Sequence, residues 1–362
     1  MDVEKRLDLI RNVGEEIITE PELRELLATK THPVAYDGFE PSGLAHLPFG
    51  IYRSMLLKDL LKAGVHFKLW LADSFGWINN KMQGDLDKIR KVGEYFIEVW
   101  KASGLKQGKN LEFLWASDAF SDKEYWKKVI LIAKNTTVNR ATRALSIMGR
   151  KEGELAETAQ YFYPMMQTAD IFHLKADICQ LGLDQRRANI IAREVGPKLG
   201  FWKPVVVSHH MLMGLSGVKQ PDGFENNQKM DIEISSKMSK SIPQTCIFVH
   251  DSKDEIENKL KAAYCPEKVV EGNPVLEYCK YIIFKQFSSI KIERPQKFGS
   301  DLNFSSYEEL EKYYASGSLH PLDLKNSTAL YLDKVIAPIR KHFEKGKPKQ
   351  MYEFVKKQEV TR

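Results

Sequence analysis

The chain has 362 residues, of which 43% are hydrophobic and 28% charged, and its formal net charge is +6. This apolar content excludes a disordered or low-complexity chain, and the length predicts two domains rather than one. No run of about eighteen apolar residues occurs, and the charged N-terminus lacks the apolar core of a secretory signal, so we expect a cytoplasmic protein without a membrane-spanning helix.

Short β-rich runs alternate with segments of helical periodicity in the first part of the chain. Buried strands are predicted at residues 34–38, 67–72, 111–116, 176–180 and 205–208. Amphipathic helices are predicted between them, at 46–63 and 86–102. This alternation predicts a Rossmann-like, doubly wound parallel α/β sheet, whose ligand site lies beyond the carboxyl ends of the strands.

The strand pattern fades from about residue 245, and helices are predicted at 254–263, 275–286, 307–315 and 329–345. We therefore expect a first domain at 1–245 and a mostly helical second domain at 246–362. The segment 216–236 is rich in Gly, Asn, Asp and Gln and has few large apolar residues. This segment is predicted to be a surface loop. Together with the lysine-serine motif that follows it, it is predicted to be mobile over about residues 216–242.

Positive charge is concentrated at the C-terminus. Residues 331–362 contain nine Lys or Arg and four Asp or Glu, which gives +5 of the total +6. Such a concentration indicates contact with a polyanion such as a nucleic acid. A solvated basic tail with no partner is the alternative.

The most specific motif is Lys237-Met238-Ser239-Lys240-Ser241. Two ammonium groups and two hydroxyls on a loop are suited to holding a triphosphate while its charge shifts, because lysines act as mobile point charges and a loop can close over the nucleotide. An exposed basic loop without a ligand is the alternative.

A second motif follows the first predicted strand, at residues 38–50, and opens a helix. Backbone N–H groups at a helix start form an anion site, and His46 lies near that start. Pro48 suits the first turn, where its missing N–H costs nothing. A lone histidine here is often structural, but the lysine motif downstream favours a role for His46 at a phosphate.

Three polar residues share one face of a predicted helix, because Tyr163, Gln167 and Asp170 are spaced by four and three. Gln185 follows the strand at 176–180. Together they form a polar surface in apolar surroundings that can bind an amino group and a phenol. A buried polar cluster without a ligand is the alternative.

The two motifs together resemble the signature pair of the class I aminoacyl-tRNA synthetases, His-x-Gly-His and Lys-Met-Ser-Lys-Ser. The resemblance is narrower still, to the tyrosyl-tRNA synthetase family of archaeal and eukaryotic cytosolic type, and runs from about residue 34 to 342. The matching stretches are Tyr36-Asp-Gly-Phe-Glu-Pro-Ser-Gly43, Leu71-Ala-Asp73, Tyr163-Pro-Met-Met-Gln167-Thr-Ala-Asp170, Gly182-Leu-Asp-Gln185-Arg, Ala263-Tyr-Cys-Pro266, Glu271-Gly-Asn-Pro274 and His320-Pro-Leu-Asp-Leu-Lys-Asn326.

The resemblance implies an enzyme that activates L-tyrosine with ATP, with Mg²⁺ on the phosphates, and transfers it to tRNA. It implies a catalytic domain at 1–245, a helical anticodon-binding domain at 246–362 and a homodimer. The implied catalytic residues are His46, Lys237 and Lys240. The implied tyrosine-binding residues are Tyr36, Glu40, Tyr163, Gln167, Asp170 and Gln185, with Tyr36 and Asp170 at the phenol. The implied ATP-binding residues are Gly43, His46, Leu212 and Lys237 to Ser241, and the implied tRNA-binding residues are Arg186, Phe298, His320 and Asp323.

The first motif departs from the family at one place. The family's Gly-His is here Pro48-Phe49, so only His46 is retained. In related enzymes that second histidine helps to stabilise the transition state, and which residue takes its place is left open by the sequence.

We expect no protein-bound metal. The four cysteines, Cys179, Cys246, Cys265 and Cys279, form no Cys-x-x-Cys pair and indicate reduced thiols. His209 and His210 are adjacent, and adjacent residues rarely converge on one ion.

Two other functions fit parts of the sequence. A tryptophanyl-tRNA synthetase shares the fold and both motifs, although an acidic acceptor beside a phenol favours tyrosine. A synthetase-like RNA-binding protein without catalysis is suggested by Pro48-Phe49. Amino-acid-dependent exchange of pyrophosphate into ATP separates these possibilities.

Overall fold

A six-stranded sheet organises the N-terminal part of the chain. The computed structural model describes residues 1–149, 157–225, 227–295, 297 and 299–358. The strands are β1 (Glu16–Ile18), β2 (Val34–Phe39), β3 (His66–Leu71), β4 (Leu111–Trp115), β5 (Ile178–Cys179) and β6 (Val205–Ser208). Their order is β1-β6-β5-β2-β3-β4, and within this sheet β1 pairs antiparallel with β6 while the other pairs are parallel.

Helices cover both faces of the sheet and form most of the C-terminal part. In the N-terminal part they are α1 (Val3–Arg11), α2 (Glu20–Thr29), α3 (Arg53–Lys62), α4 (Asp73–Ile78), α5 (Leu86–Ala102), α6 (Lys123–Lys134), α7 (Val138–Ala144), α8 (Phe162–His173), α9 (Arg186–Val195) and α10 (Gln228–Ser236). In the C-terminal part they are α11 (Lys253–Ala262), α12 (Pro274–Tyr278), α13 (Phe284–Gln286), α14 (Tyr307–Ala315), α15 (Pro321–His342) and α16 (Gly346–Lys356). A π-helical turn, Pro48–Tyr52, leads directly into α3, and another, Cys279–Ile283, joins α12 to α13.

The parallel sheet confirms the doubly wound α/β prediction. Each predicted strand is present, because these runs are apolar enough to be buried on both faces of a parallel sheet. The run at 176–180 shortens to Ile178–Cys179, and the helix predicted at 46–63 begins at Pro48, which occupies its first turn as expected. The helix at 86–102 is confirmed at both ends.

The prediction of a loop throughout the segment 216–236 is wrong for its second half. Residues 228–236 form α10, which Asn227 caps by accepting a hydrogen bond from the Met230 N–H. The helix buries Asp231, whose carboxylate accepts the backbone N–H groups of Gly223 and Phe224 at 2.8 and 2.7 Å. The packing of α10 therefore depends partly on a buried polar side chain, which hydrophobic periodicity does not detect.

The last predicted helix, 329–345, has the wrong bounds. The helix α15 begins at Pro321, with His320 as its cap, and ends at His342. A new helix, α16, begins at Gly346, whose positive φ of 68° interrupts the helical backbone between α15 and α16.

The C-terminal part also contains strands that the sequence did not predict. Ile290–Ile292 (β7) and Leu302–Phe304 (β8) form an antiparallel pair. The strand β1 was missed as well, because runs of three residues are too short to show a period. Buried apolar side chains form a continuous cluster from Leu7 through Val249 to Phe343, so the two parts pack on one another.

None of the described helices is long and apolar enough to cross a lipid bilayer.

Candidate active site

A cavity of about 310 Å³ lies beyond the carboxyl ends of the parallel strands, where the fold predicts a ligand site. Its volume is in the range of small-molecule sites. The sequence-predicted residues that line it are Tyr36, Glu40, His46, Tyr163, Gln167, Asp170, Gln185, Lys237 and Lys240.

One end of the cavity is built around Asp170, which is buried on α8. Its Oδ1 accepts a hydrogen bond from the Tyr125 hydroxyl at 2.9 Å, and its Oδ2 accepts one from the Trp70 indole N–H at 3.1 Å. Burial raises the pKa of Asp170 to about 8, although both donors act in the opposite direction. Tyr36, on β2, is buried nearby and donates to the Gln167 carbonyl at 3.5 Å. This end can receive one further hydroxyl.

The adjoining wall carries polar groups that suit an ammonium. Glu40 follows β2 and accepts the Tyr163 hydroxyl at 2.6 Å, with Asn79 donating to both of its oxygens at 3.1 Å. Gln167 donates to the Gln185 side-chain oxygen at 3.1 Å. Gln185 lies in a short 3₁₀ turn after β5 rather than on the sheet. The predicted side chains of α8 thus share one face and meet Gln185.

The two motifs converge at the opposite end of the cavity. His46 stands before the π-helical turn, and its backbone pairs with Phe248. Lys240 Nζ donates to the carbonyl and hydroxyl of Ser42 at 2.9 and 2.8 Å, and Lys237 Nζ contacts Asp184 Oδ2 at 2.6 Å. Both ammonium groups are held by groups that an incoming phosphate can displace.

The charges at this end are strongly coupled. Burial lowers the pKa of His46 to about 3, and the nearby Lys240 and Lys237 act in the same direction, so the imidazole is neutral near pH 7 and can donate one hydrogen bond. Burial, assisted by Lys81, lowers the pKa of Lys240 to about 8. Cations gathered in a buried recess are arranged for a polyanionic ligand.

Several residues of the two motifs lie behind or beside the cavity. Leu212 and Met238 are buried outside its lining, and they join through a 2.7 Å bond from the Met238 N–H to the Leu212 carbonyl. Ser239 and Ser241 contact each other at 2.8 Å near the surface. Gly43, at φ 96°, gives the turn beneath Ser42.

The residue that replaces the family's second histidine is apolar and well packed. Phe49 lines the cavity and packs among Phe39, Phe96 and Trp100, with ring centroids 4.2 to 5.2 Å away. Another histidine, His209 at the end of β6, also lines the cavity. Burial lowers its pKa well below the ordinary value, so it is a neutral imidazole.

Three of the residues predicted to bind tRNA, Arg186, His320 and Asp323, do not line the cavity. Arg186, at the start of α9, pairs with Glu16 at 2.9 Å and borders a small recess with Arg140, Arg143 and Arg187. His320 is exposed and caps α15, whereas Asp323 in its first turn is buried. Phe298 lies outside the described residues.

Sequence reasoning missed the partners that hold the site together: Ser42, Trp70, Tyr125, Asp184 and His209. Asp184 and Ser42 lie inside stretches already singled out by the resemblance, and Trp70 directly precedes another. Tyr125, on α6, is far from all of them in sequence and gave no signal.

The four cysteines form no disulfide within the described residues, and the two adjacent histidines contact different groups. All four cysteines are buried free thiols, as expected. His209 faces the cavity, whereas His210 lies between Glu233 and Glu277, so the two adjacent histidines do not share a partner.

The chain matches a family model described as tRNA synthetases class I (W and Y) over residues 28–337. It is 44% identical to tyrosine–tRNA ligase 1, cytoplasmic, of Arabidopsis thaliana, over 100% of this chain and 90% of that protein. It is 46% identical to the tyrosine–tRNA ligase of Sulfurisphaera tokodaii, over 95% of this chain and 94% of that protein.

Solved structures agree with these matches. The tyrosyl-tRNA synthetase from Pyrococcus horikoshii, complexed with L-tyrosine, superposes with a TM-score of 0.88 at 39% identity, covering 98% of this chain and 100% of that one. A tryptophanyl-tRNA synthetase from Aeropyrum pernix reaches a TM-score of 0.65 at 18% identity, covering 95% of this chain and 85% of that one, and shares the fold alone.

Proposed function

The chain belongs to the class I tRNA synthetases of the tryptophan and tyrosine group, and we propose how its own residues perform the reaction. The protein is a tyrosine–tRNA ligase, which activates L-tyrosine with ATP and transfers the tyrosyl group to tRNA. The observation that carries the residue assignment is that His46, Lys237 and Lys240 line the same cavity as Asp170, with both lysines near enough to act on the His46 imidazole.

Tyrosine lies with its phenol at Asp170 and Tyr36 and its ammonium at Tyr163, Gln167 and Gln185. The support is chemical: Asp170 is a buried acceptor and Glu40 brings a negative charge to the ammonium wall. A site built to bond a hydroxyl rejects an analogue that lacks it, because its own polar groups are then left unpaired. The rejection of phenylalanine by tyrosyl-tRNA synthetases is itself the familiar example of this effect.

Activation needs no nucleophile from the protein. The tyrosine carboxylate attacks the α-phosphorus of ATP, its oxygen forms the new P–O bond, and pyrophosphate leaves. ATP enters as its magnesium complex, so Mg²⁺ is part of the substrate. His46 donates to a phosphate oxygen, and Lys237 and Lys240 leave Asp184 and Ser42 to neutralise the developing charge on pyrophosphate.

The remaining ATP contacts come from the two segments beside the cavity. Gly43 opens the backbone near the phosphates, and Leu212 belongs to the strip that faces adenine. Met238, Ser239 and Ser241 shape the loop that carries the two lysines. In the second step, a ribose hydroxyl at the 3′ end of tRNA attacks the tyrosyl carbonyl, and AMP leaves.

Transfer RNA spans both parts of the chain, divided as a catalytic domain at 1–245 and an anticodon-binding domain at 246–362. Arg186 and its neighbouring arginines meet the acceptor end, while Phe298, His320 and Asp323 read an anticodon base. An aromatic ring can stack on an unpaired base and a carboxylate can accept from a base edge. The exposed lysines of α16 suit the phosphate backbone.

The protein is cytoplasmic, as the Arabidopsis relative is named, and forms a homodimer. Exposed apolar side chains on neighbouring helices, Ile130 on α6 and Val138 on α7, support an interface there. Sedimentation equilibrium tests this, and a monomer at micromolar concentration would contradict it.

Pyrophosphate exchange into ATP, measured with each of the twenty standard amino acids, tests the assignment of substrate. We expect exchange with tyrosine alone.

A Lys240→Ala variant should slow this exchange by far more than it weakens tyrosine binding, because Lys240 lies at the nucleotide end of the cavity. An equal loss of pyrophosphate exchange and of tyrosine binding would contradict the placement of Lys240 at the nucleotide.

A further inference from the structure

One histidine lies behind the nucleotide end of the cavity, between three parts of the chain. His210 follows β6, and its Nδ1 is 2.9 Å from Glu233 Oε1 of α10. Its Nε2 is 3.2 Å from Glu277 Oε1 of α12, in the C-terminal part. The Tyr281 ring stacks on the imidazole, with centroids 4.4 Å apart and planes at 14°. His210 therefore links α10 to the C-terminal helices without lining the cavity.

The same two carboxylate oxygens also hold the backbone next to His210. Glu233 Oε1 accepts the Met211 N–H at 3.2 Å, and Glu277 Oε1 accepts the Met213 N–H at 2.6 Å. The Tyr278 hydroxyl donates to the Met213 carbonyl at 2.6 Å. The strip Met211–Met213 is thus fixed from its outer side by side chains of two different helices.

This strip is joined in turn to the lysine motif. The Met238 N–H donates to the Leu212 carbonyl at 2.7 Å, the Gly214 N–H donates to the Ser236 carbonyl at 2.9 Å, and Met213 pairs with Lys237 as an antiparallel bridge. A shift of the strip would therefore move Lys237 and the loop that carries Lys240.

We propose that His210 is a positioning residue for ATP, which fixes the Met211–Met213 strip and the lysine motif by bridging Glu233 and Glu277. The proposal rests on the assignment of this end of the cavity to the nucleotide. A charged imidazolium attracts both carboxylates at these distances, whereas a neutral imidazole carries no charge to pair with them. Burial alone would lower the pKa of His210, but the close contacts with the carboxylates of Glu233 and Glu277 outweigh it and raise the pKa to about 10.

The test measures the KM for ATP and for tyrosine in pyrophosphate exchange with the purified full chain and its variants His210→Gln, Glu233→Gln and Glu277→Gln. Each variant should raise the KM for ATP by about tenfold, which is the scale of losing a hydrogen bond to a charged group, while the KM for tyrosine stays within about twofold. The double variant H210Q/E277Q should be no worse than H210Q alone, because H210Q already removes the contact with Glu277.

His342→Gln is the matched control. His342 Nε2 lies 2.9 Å from Glu98 Oε2, so it is also a His–Glu contact between the two parts of the chain, but neither residue contacts the strip. Its KM for ATP should stay unchanged. An equal rise in H342Q and H210Q would assign the effect to general loosening and overturn the proposal.

Further outcomes separate this proposal from the proposed function. A wild-type chain without tyrosine-dependent exchange would refute the proposed function itself. An active wild type with an unchanged KM for ATP in E233Q and E277Q would refute only the role of His210, even if H210Q fails to fold. Glu15 also brings a carboxylate within 4.8 Å of the His210 and Glu233 ligand atoms. One equivalent of zinc retained by the purified wild type and lost in H210Q would overturn the ion-pair bridge in favour of a metal site.

Discussion

Asp170 illustrates how a single carboxyl is held in place for the phenol that we propose it binds. Tyr125 and Trp70 each donate to one of its oxygens, which fixes the carboxylate plane. With its pKa raised to about 8, Asp170 is mostly protonated near pH 7, so on the cavity side it can both accept a hydrogen bond from a further hydroxyl and donate one to it. Because the group is buried, a ligand without that donor leaves part of its hydrogen-bonding capacity unmet.

Replacing Asp170 by alanine should therefore reduce the preference for tyrosine over phenylalanine. We expect the ratio of the two kcat/KM values to fall by about tenfold to a hundredfold, the range for leaving a buried polar group without its hydrogen bond. Both kcat/KM values are measured on the same preparation of one variant. A lower fraction of folded protein therefore changes both equally and cancels in their ratio. An unchanged ratio would show that the phenol does not lie at Asp170.

Lys240 gives a prediction about pH. Its pKa is lowered to about 8, so the ammonium is charged below that pH and becomes neutral above it. If the ammonium binds the triphosphate, kcat/KM for ATP, which reports the free enzyme, should decrease as the pH rises through about 8. The variant Lys240→Arg keeps its charge over this range, since the guanidinium has a pKa above about 12, and should flatten the profile. The same decrease in both proteins would assign it to another group.

At the scale of elements, the first motif works through close packing as well as through His46. The turn Pro48–Tyr52 lies against the C-terminal part, and a Cβ added to Gly50 would stand 2.6 Å from Val249 Cγ1 and 3.1 Å from Val99 Cγ1. Both are branched core side chains with little room to move. The absence of a side chain at Gly50 lets this turn approach closely and keeps His46 at the cavity.

Gly50→Ala should accordingly destabilise the protein, by about 1–3 kcal/mol for overpacking in a core. Urea unfolding should show a lower midpoint at an unchanged slope. Gly108→Ala is the control, because a Cβ there meets no atom within 4 Å, and its midpoint should stay within error or rise. Equal midpoints for the two variants would mean that the turn can shift without cost.

The helix α10 shows why some elements escaped prediction. It buries one large apolar side chain, Ile234, and otherwise packs through Asp231, which accepts loop N–H groups, and through the small residues Ser235 and Ser236. Hydrophobic periodicity detects only helices that bury large apolar side chains. The neighbouring lysine motif was recognised directly from the sequence. The identity and order of its five residues can be matched without any hydrophobic periodicity.

At the scale of the whole molecule, the cavity and the exposed basic surface of the C-terminus lie in different parts of the chain. The cavity lies in the N-terminal part, whereas α16 at the far end of the chain carries exposed Lys347 and Lys349. The residues that line the cavity all belong to the N-terminal part, but Glu277 of the C-terminal part holds the Met213 N–H next to it, and we expect tRNA binding to use both parts.

The double variant K347Q/K349Q should raise the KM for tRNA and reduce its dependence on salt, by about one unit of log–log slope for each phosphate that a lysine no longer neutralises. Tyrosine-dependent pyrophosphate exchange should stay unchanged. Exposed Lys106 and Lys109, changed together to glutamine, provide a control of equal charge on a loop of the N-terminal part. Equal effects of the two variants on tRNA would indicate a general response to net charge.

The sequence alone determined the parallel strands of the sheet, some of the helices, the two motifs and nine of the residues that line the cavity, because each of these depends on local patterns or on characteristic residues in a fixed order. The tertiary structure decided what those residues contact: Tyr125 and Trp70 at Asp170, Ser42 at Lys240, Asp184 at Lys237, and the two glutamates around His210. Such partners come from distant elements, and their hydrogen bonds form only when the burial of the intervening segments brings them together. No local periodicity records that pairing, and so it could be found only in the folded chain.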